Sequence, residues 1–536
     1  MNNFFRGCKQ GFFLFKAVFI FFILFSFSSC VEKKMSINQA KQVTLTMAEK
    51  SFTPPPKRID DILALLEAPG GNPKSKFLVN AKRTVEQEPS GKLKGDALAK
   101  FYFKRAKAAG VLGKERKTLD DMRTALQHAK GMKTKIEKEI IVYEFSAGNF
   151  NRALELAKKH FSPNESIWSY KQLIQCYVGA GKLDTARKLK NQAQQLYHKR
   201  KARKTRINDE IHFARINYYL LQSIGKYAEA EPYIRTAIEY CKKRPQYPQS
   251  TYWEKHKLGS NLFRQNRLFE AEIMARDLLK EAINKYGKNT TEVQWSVALL
   301  GGIRLNQGYI KDAEKLIALQ IQIGKASGSY EGSRNMTYGR KFYGSVLTSQ
   351  SKYSQALEQF DQIKTALIDE NEYLYNKQFA RSPDFILCLI KLNRIKEAMN
   401  IISPAYIYFA DQMGQDHPYT LEMKGLRAMG NALESHDKEA IADFSEAVPY
   451  LVEKISNGNT NYIEKNRARV IVESYFDLLI KIFKQGREDQ FGIDVASECF
   501  TLFEKINSGK VQKALTSSGA RSAVSDPDLA EHIRRA

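Results

Sequence analysis

The 536-residue sequence holds few side chains spaced to do chemistry. Its eight histidines are scattered, and no His-Glu-x-x-His pair sits on one helix face to hold a zinc ion. No Gly-x-Ser-x-Gly turn presents a nucleophilic serine. Ser508-Gly509-Lys510 carries the closing letters of a phosphate-cradling loop. Glu504 stands where that loop needs its first glycine, and Val511 where a Ser or Thr must reach magnesium. The acid pairs Asp60-Asp61 and Asp120-Asp121 read as helix-start charges. Cys176, Cys241, Cys388 and Cys499 are widely spaced within apolar patterns, so they read as small buried residues rather than a disulfide framework. No catalytic, metal-ligating or cofactor-binding residue is assigned, no cofactor is expected, and the chain is expected not to be an enzyme.

Charge offers more. Lys and Arg number 85 against 58 acids, a net charge of +27. The densest run is His198-Lys199-Arg200-Lys201-Ala202-Arg203-Lys204-Thr205-Arg206, with Lys242-Lys243-Arg244 further on. Such a run can attract an acidic partner, nucleic acid or anionic lipid headgroups. A solvated helix face is the plainer reading, and the N-terminus makes nucleic acid the least favoured partner.

The elements that hold these residues are helices. A chain this long exceeds one core, so several domains or an extended array are required. The content of 43% hydrophobic residues suffices for a packed interior, while 15 Pro and 31 Gly are too few for a disordered or fibrous class. Ala, Leu, Lys, Glu and Gln dominate, and all favour helix.

The first thirty residues stand apart. Arg6 and Lys9 precede an apolar run from Gly11 to Phe27, broken by Lys16, that closes on Phe27-Ser28-Ser29-Cys30. This ending resembles a bacterial lipoprotein signal, which implies that Cys30 becomes the lipidated first residue of the mature chain. Phe27 departs from the leucine usual there. An uncleaved anchor is the alternative, since about 17 mostly apolar residues just span a bilayer, and ordinary secretion is a third. The expected order is a signal over 1–29, a flexible tether over 30–60 containing Thr53-Pro54-Pro55-Pro56-Lys57, and a helical cap over 61–94. The body is expected to be exported. It would be lipid-anchored in a bacterial envelope and facing the periplasm, or else secreted.

From there a short pattern recurs: a turn former, any residue, an aromatic or aliphatic residue, two polar residues, then Ala. It reads Gly148-Asn149-Phe150 with Ala153, Gly181-Lys182-Leu183 with Ala186, Gly225-Lys226-Tyr227 with Ala230, and Asn266-Arg267-Leu268 with Ala271. It continues as Gly308-Tyr309-Ile310 with Ala313, Ser351-Lys352-Tyr353 with Ala356, and Asn393-Arg394-Ile395 with Ala398. Ser435-His436-Asp437 with Ala440 is a degenerate copy, and Gly113 and Gly486 are worn outer ones. The turn former ends one helix in a left-handed conformation. The Ala marks where paired helices cross closely. Seven positions before the turn, Gly259, Gly301, Gly344 and Ala428 supply a matching small residue.

This pattern resembles the tetratricopeptide (TPR) family over roughly 95 to 505. The turn spacing is 35 and 33 residues, then 44, 41, 42, 43, 42 and 42. The later units resemble the longer repeat of kinesin light chains, and Asp416-His417-Pro418-Tyr419-Thr420 is similar to the segment that opens such a unit. The resemblance implies an all-α, right-handed solenoid of helical hairpins, a TPR array, whose concave groove binds a peptide or partner protein. The inward positions it implies are Tyr219, Gln222, Ser260, Arg264, Asn306, Lys341 and Thr348. Residues 506–536, including Lys510-Val511-Gln512-Lys513-Ala514-Leu515, resemble the connector that joins such arrays to a caspase-like CHAT peptidase. That similarity implies a rival role as the regulatory half of a peptidase whose catalytic domain this chain lacks.

Overall fold

A computed structural model describes residues 58–68, 76–163, 166–204, 206–245, 248–456 and 461–507. The signal, Cys30, most of the tether and nearly all of the connector lie outside them. Among the described residues there is no strand, and the expected array of helical hairpins is what they form. Two helices lead in, α1 (Asp60–Glu67) and α2 (Lys76–Val85). Paired helices then follow in repeats: α3 (Gly95–Val111) with α4 (Glu115–His128), α5 (Lys133–Ser146) with α6 (Phe150–Lys159), and α7 (Ile167–Gly179) with α8 (Leu183–Arg203). Repeats four to six are α9 (Ile207–Ser223) with α10 (Tyr227–Lys242), α11 (Pro248–Arg264) with α12 (Leu268–Tyr286), and α13 (Thr291–Asn306) with α14 (Ile310–Ser327). Repeat seven is α15 (Arg334–Ser349) with α16 (Tyr353–Tyr375), which runs through a π-helical turn, Asn376–Ala380, into repeat eight. That repeat pairs the short α17 (Pro383–Lys391) with α18 (Ile395–Met413). Repeat nine is α19 (Pro418–Leu433) with α20 (Asp437–Ser456), and repeat ten is α21 (Tyr462–Lys484) followed by α22 (Glu488–Phe491) and a helix over 495–507.

The hairpin turns follow one rule. From Gly113 to Gly486, all ten turn formers have φ between +59° and +94°. The four non-glycine residues with positive φ among the described residues, Asn266, Ser351, Asn393 and Ser435, are all turn formers. The next amide closes each turn by reaching back five residues, as in Lys226 N–H to Leu221 O (2.9 Å) and His436 N–H to Asn431 O (2.9 Å). That is the Schellman closure, which satisfies carbonyls the helix end would leave bare. Each crossing Ala from Ala153 to Ala440 is completely buried. Cβ atoms added at Gly301 and Gly344 would come within 2.8 Å of Ile317 and 2.6 Å of Phe360, so these glycines set the helix spacing.

Successive first helices pack on one another (α5 on α7, α7 on α9, α11 on α13, and each next one to α21), whereas the second helices spread apart. The first helices therefore line the inside of the curve. Contacts also skip repeats. Thr291, at the start of repeat six, donates its hydroxyl to Gly113 O in the first turn (2.9 Å). Arg116 N–H donates to Gly328 O (3.1 Å), and Tyr330 donates to Asp120 (2.6 Å). The turn at Gly148 meets Gly332, which precedes repeat seven, and the turn at Gly308 meets Tyr462 at the start of repeat ten. Repeats four or five places apart thus touch through their turns, and α21 of repeat ten also packs on the first helices α13 and α15.

The expected N-terminal cap bridges distant repeats. Helix α2 packs on α3, and its Leu78 joins the same core as α1. Ile59 and Ile62 are buried in the core of repeats four to six. Arg276 of α12 donates to Asp61 (2.9 Å) and to Arg58 O (3.1 Å). The ordered array therefore reaches back into the expected tether by Arg58. Cys176, Cys241 and Cys388 are free thiols and buried, and burial pushes the thiols of Cys176 and Cys388 up to about 12.

Candidate functional site

Five consecutive first helices share a mostly polar stripe at positions i, i+3 and i+7, on the face turned away from the hairpin partner. Counted back from the turn former, these lie thirteen, ten and six residues away. Repeats three to seven read Trp168-Lys171-Gln175, His212-Arg215-Tyr219, Trp253-His256-Ser260, Trp295-Ala298-Gly302 and Tyr338-Lys341-Ser345. In repeat six the small Ala298 and Gly302 leave Trp295 as the one large side chain of its set. The chain has three tryptophans, and all stand at one register, with His212 and Tyr338 completing the series. All five of these rings are partly exposed. Trp253 and Trp295 meet edge to face at 6.4 Å, with the His256 ring beside both at 5.9 and 5.5 Å. His256 Nε2 lies 3.1 Å from Trp295 O, and a carbonyl only accepts, so that nitrogen carries the proton. Burial pushes His256 down to about 4, which keeps the ring neutral.

Next to the rings lie cations. The Glu254 carboxylate is fully buried between Arg215 (2.6 Å) and Lys257 (2.8 Å), and those two charges hold it down to about 2 against the opposing effect of burial. Lys171 is buried too, but donates to the neutral amide of Gln172 (2.6 Å). Burial, reinforced by Arg215 and Lys257, pushes its ammonium down to about 7. Gln172 Nε2 and His212 Nδ1 are buried without a hydrogen-bond partner. Further along, Arg467 of α21 ties Asp384 of α17 (3.0 Å) to Glu422 of α19 (2.9 Å), and Ser345 donates to Asp384 (2.5 Å). This network braces the later repeats.

The expected inward residues fall into three groups. Tyr219, Ser260 and Lys341 lie on the stripe. Lys257 sits 5.4 Å over the Tyr219 ring, and burial with Arg264 nearby pushes Lys341 down to about 8. Gln222, Arg264 and Asn306 lie beyond it near the turns. Asn306 donates to Gly302 O (2.8 Å), Arg264 is exposed, and Gln222 lies one turn from Tyr218. Thr348 is the departure: it is buried, with its hydroxyl donating to Gly344 O (2.8 Å) and 3.1 Å from Cys388 Sγ. It continues the stripe at i+10, where its side chain packs against Cys388 of the next first helix.

The basic run 198–206 ends α8 and is partly neutralised by α9. Arg200 pairs with Asp209 (2.8 Å) and Lys201 with Glu210 (3.3 Å), leaving Lys199, Arg203, Lys204 and Arg206 exposed. No group of three or more His, Cys, Asp or Glu that could hold a metal ion occurs among the described residues, and no described helix is long and apolar enough to cross a membrane. The aromatic register is the feature that family resemblance does not supply. It was legible in the sequence, since the spacing from Trp to turn is constant.

No family model and no curated protein sequence matches the chain. Among solved structures, the TPR domain of P58(IPK) is 12% identical, covering 70% of this chain and 99% of its own, with a TM-score of 0.22. Naa15/Naa10 bound to HypK-THB is 12% identical, covering 90% and 78%, with a TM-score of 0.20. At scores this low the fold stands on the chain's own helix pairs and turns.

Proposed function

We propose that this chain is a non-catalytic scaffold that holds an extended segment of a partner protein along the inner stripe of repeats three to seven. The observation that carries the reading is the shared register of Trp168, His212, Trp253, Trp295 and Tyr338 on five consecutive first helices. Partly exposed rings offer large contact area at low entropic cost, which suits recognition. Helices packed about 8–10 Å apart match roughly three residues of extended chain at about 3.3 Å each. The fitting segment has an apolar or aromatic residue about every third position, with acidic residues between to meet Arg215, Lys257 and Lys341.

All the tryptophans lie on the stripe, so selectively excited tryptophan fluorescence reports on it alone. A partner captured by a photo-crosslinker at Trp295 should shift that emission on binding. The double variant Trp253→Ala, Trp295→Ala should bind at least tenfold more weakly with unchanged helical circular dichroism. Binding left intact by that variant sinks the proposal. The proposal extends to place. The basic start, apolar run and Cys30 support export with lipid tethering, and Cys30→Ser should abolish incorporation of labelled fatty acid in a bacterial host.

A further inference from the structure

Along the inner stripe, repeats three to five gather three cations around one carboxylate. Lys171, Arg215 and Lys257 surround a single carboxylate, Glu254, and Lys171 spends its hydrogen bond on an uncharged amide. Burying an ammonium beside two other cations is unfavourable in the free protein, because desolvation and repulsion both oppose its charge. Two further polar atoms point the same way. Gln172, 3% exposed, has an amide nitrogen with no acceptor, and His212 has a buried Nδ1 with no partner. Arg215, Lys171, Arg244 and Lys257 all act on that imidazole.

We infer that Lys171, Gln172, His212, Arg215 and Lys257 form a binding site for a dianionic oxyanion of the phosphate class. With Lys171 protonated, three cations less one carboxylate leave a double positive charge, which a dianion cancels and a single carboxylate does not. Phosphate oxygens accept hydrogen bonds at several directions, which matches the mixed donor set of ammonium, guanidinium, amide and imidazole. Glu254 is part of the site's design. It fixes Arg215 and Lys257 in place, so neither has to be ordered when the anion arrives. Trp168 and Trp253 stand on the same two flanking helices and supply walls on which the rest of a ligand can lie. The inference rests on reading the inner stripe as a binding surface, and it names the charge its ligand carries.

The test is a titration of the full chain with inorganic phosphate at constant ionic strength, followed by tryptophan emission and melting temperature. Wild type should respond saturably, with the melting temperature raised by several degrees. Lys171→Met and Gln172→Leu should each weaken the response at least tenfold, while Lys352→Met, on an outer turn, should not change it. Lys171→Arg keeps the cation and should retain the response, which separates lost binding from lost folding. No saturable response in wild type, or an equal response in Lys171→Met, overturns the site. A phosphoserine peptide with flanking aromatic residues gives the second arm. Tighter binding than inorganic phosphate makes the ligand a modified segment, and equal binding makes it the free anion. A partner that binds the stripe with no phosphate response anywhere would overturn this inference and leave the scaffold reading standing.

Discussion

Single residues at the hairpin turns show what the repeat demands of its sequence. A left-handed backbone costs a residue with a Cβ about 1–2 kcal/mol relative to glycine. Ser351, Asn393, Asn266 and Ser435 accept that strain. Ser435→Gly removes it at the expense of a more flexible unfolded chain, so a net gain of a few tenths to about 1 kcal/mol is expected by chemical denaturation. The mirror experiment is Gly225→Ala. Its φ is +78° and nothing lies within 4 Å of the added Cβ, so the variant measures backbone strain alone and should lose about 1 kcal/mol. Titration acts at this scale too. Burial pushes Glu115 up to about 7, and one of its carboxylate oxygens has no partner. Its folded pKa lies above its unfolded one, so the folded state favours the proton. That stability is present below about 4.5 and is lost as pH rises toward 7, on the order of 3 kcal/mol at most. Burial pushes Glu292 in the same direction, also to about 7. Glu115→Gln should flatten the fall in melting temperature between pH 5 and 8 to which Glu115 contributes; an unchanged slope would show that the carboxylate reaches water.

At the scale of the element, the hairpin is a spacing device. Gly344 faces the Phe360 ring, and a Cβ there would stand 2.6 Å from it. Gly344→Ala should cost about 1–3 kcal/mol through overpacking, and Phe360→Leu in the same chain should recover part of it. Helix positions, turn formers and crossing alanines were legible in the sequence because they are local rules repeated at a near-constant interval. Ala153, Ala186 and their successors needed no distant partner to be recognised. Thr348 is buried because Cys388 of the next first helix packs on it, a tertiary contact that the repeat pattern alone does not give. The tryptophan register is written in the sequence as a constant thirteen-residue spacing to the turn former, a feature outside the shared repeat pattern. The anion-site residues were not legible at all. Lys171, Arg215 and Lys257 come from three helices and their charges gain meaning once Glu254 is seen to be their shared carboxylate.

At the scale of the whole array, curvature accumulates until distant repeats meet, and no local pattern announces where. Gly113 and Gly148 sit at those meetings. A Cβ at Gly113 would stand 2.5 Å from Thr291 N and one at Gly148 would stand 2.6 Å from Gly332 O, both backbone atoms that cannot swing aside. The double variant Gly113→Ala, Gly148→Ala therefore drives a wedge between repeats one and two and repeats six and seven. Gly225→Ala also puts a Cβ at positive φ but meets nothing, so it is the control for backbone strain without the contact. The wedge should break the Thr291–Gly113, Arg116–Gly328 and Tyr330–Asp120 hydrogen bonds, while each hairpin keeps its own core. Solution X-ray scattering should show a larger radius of gyration for the wedged chain and an unchanged one for Gly225→Ala, with equal helical content in both. If the contact restricts access to the inner stripe, the wedged chain should also bind its partner with a faster on-rate, since the stripe no longer waits for the repeats to part. An unchanged radius together with an unchanged on-rate would mean that the repeats yield locally and that the edge contacts do not govern how the array opens.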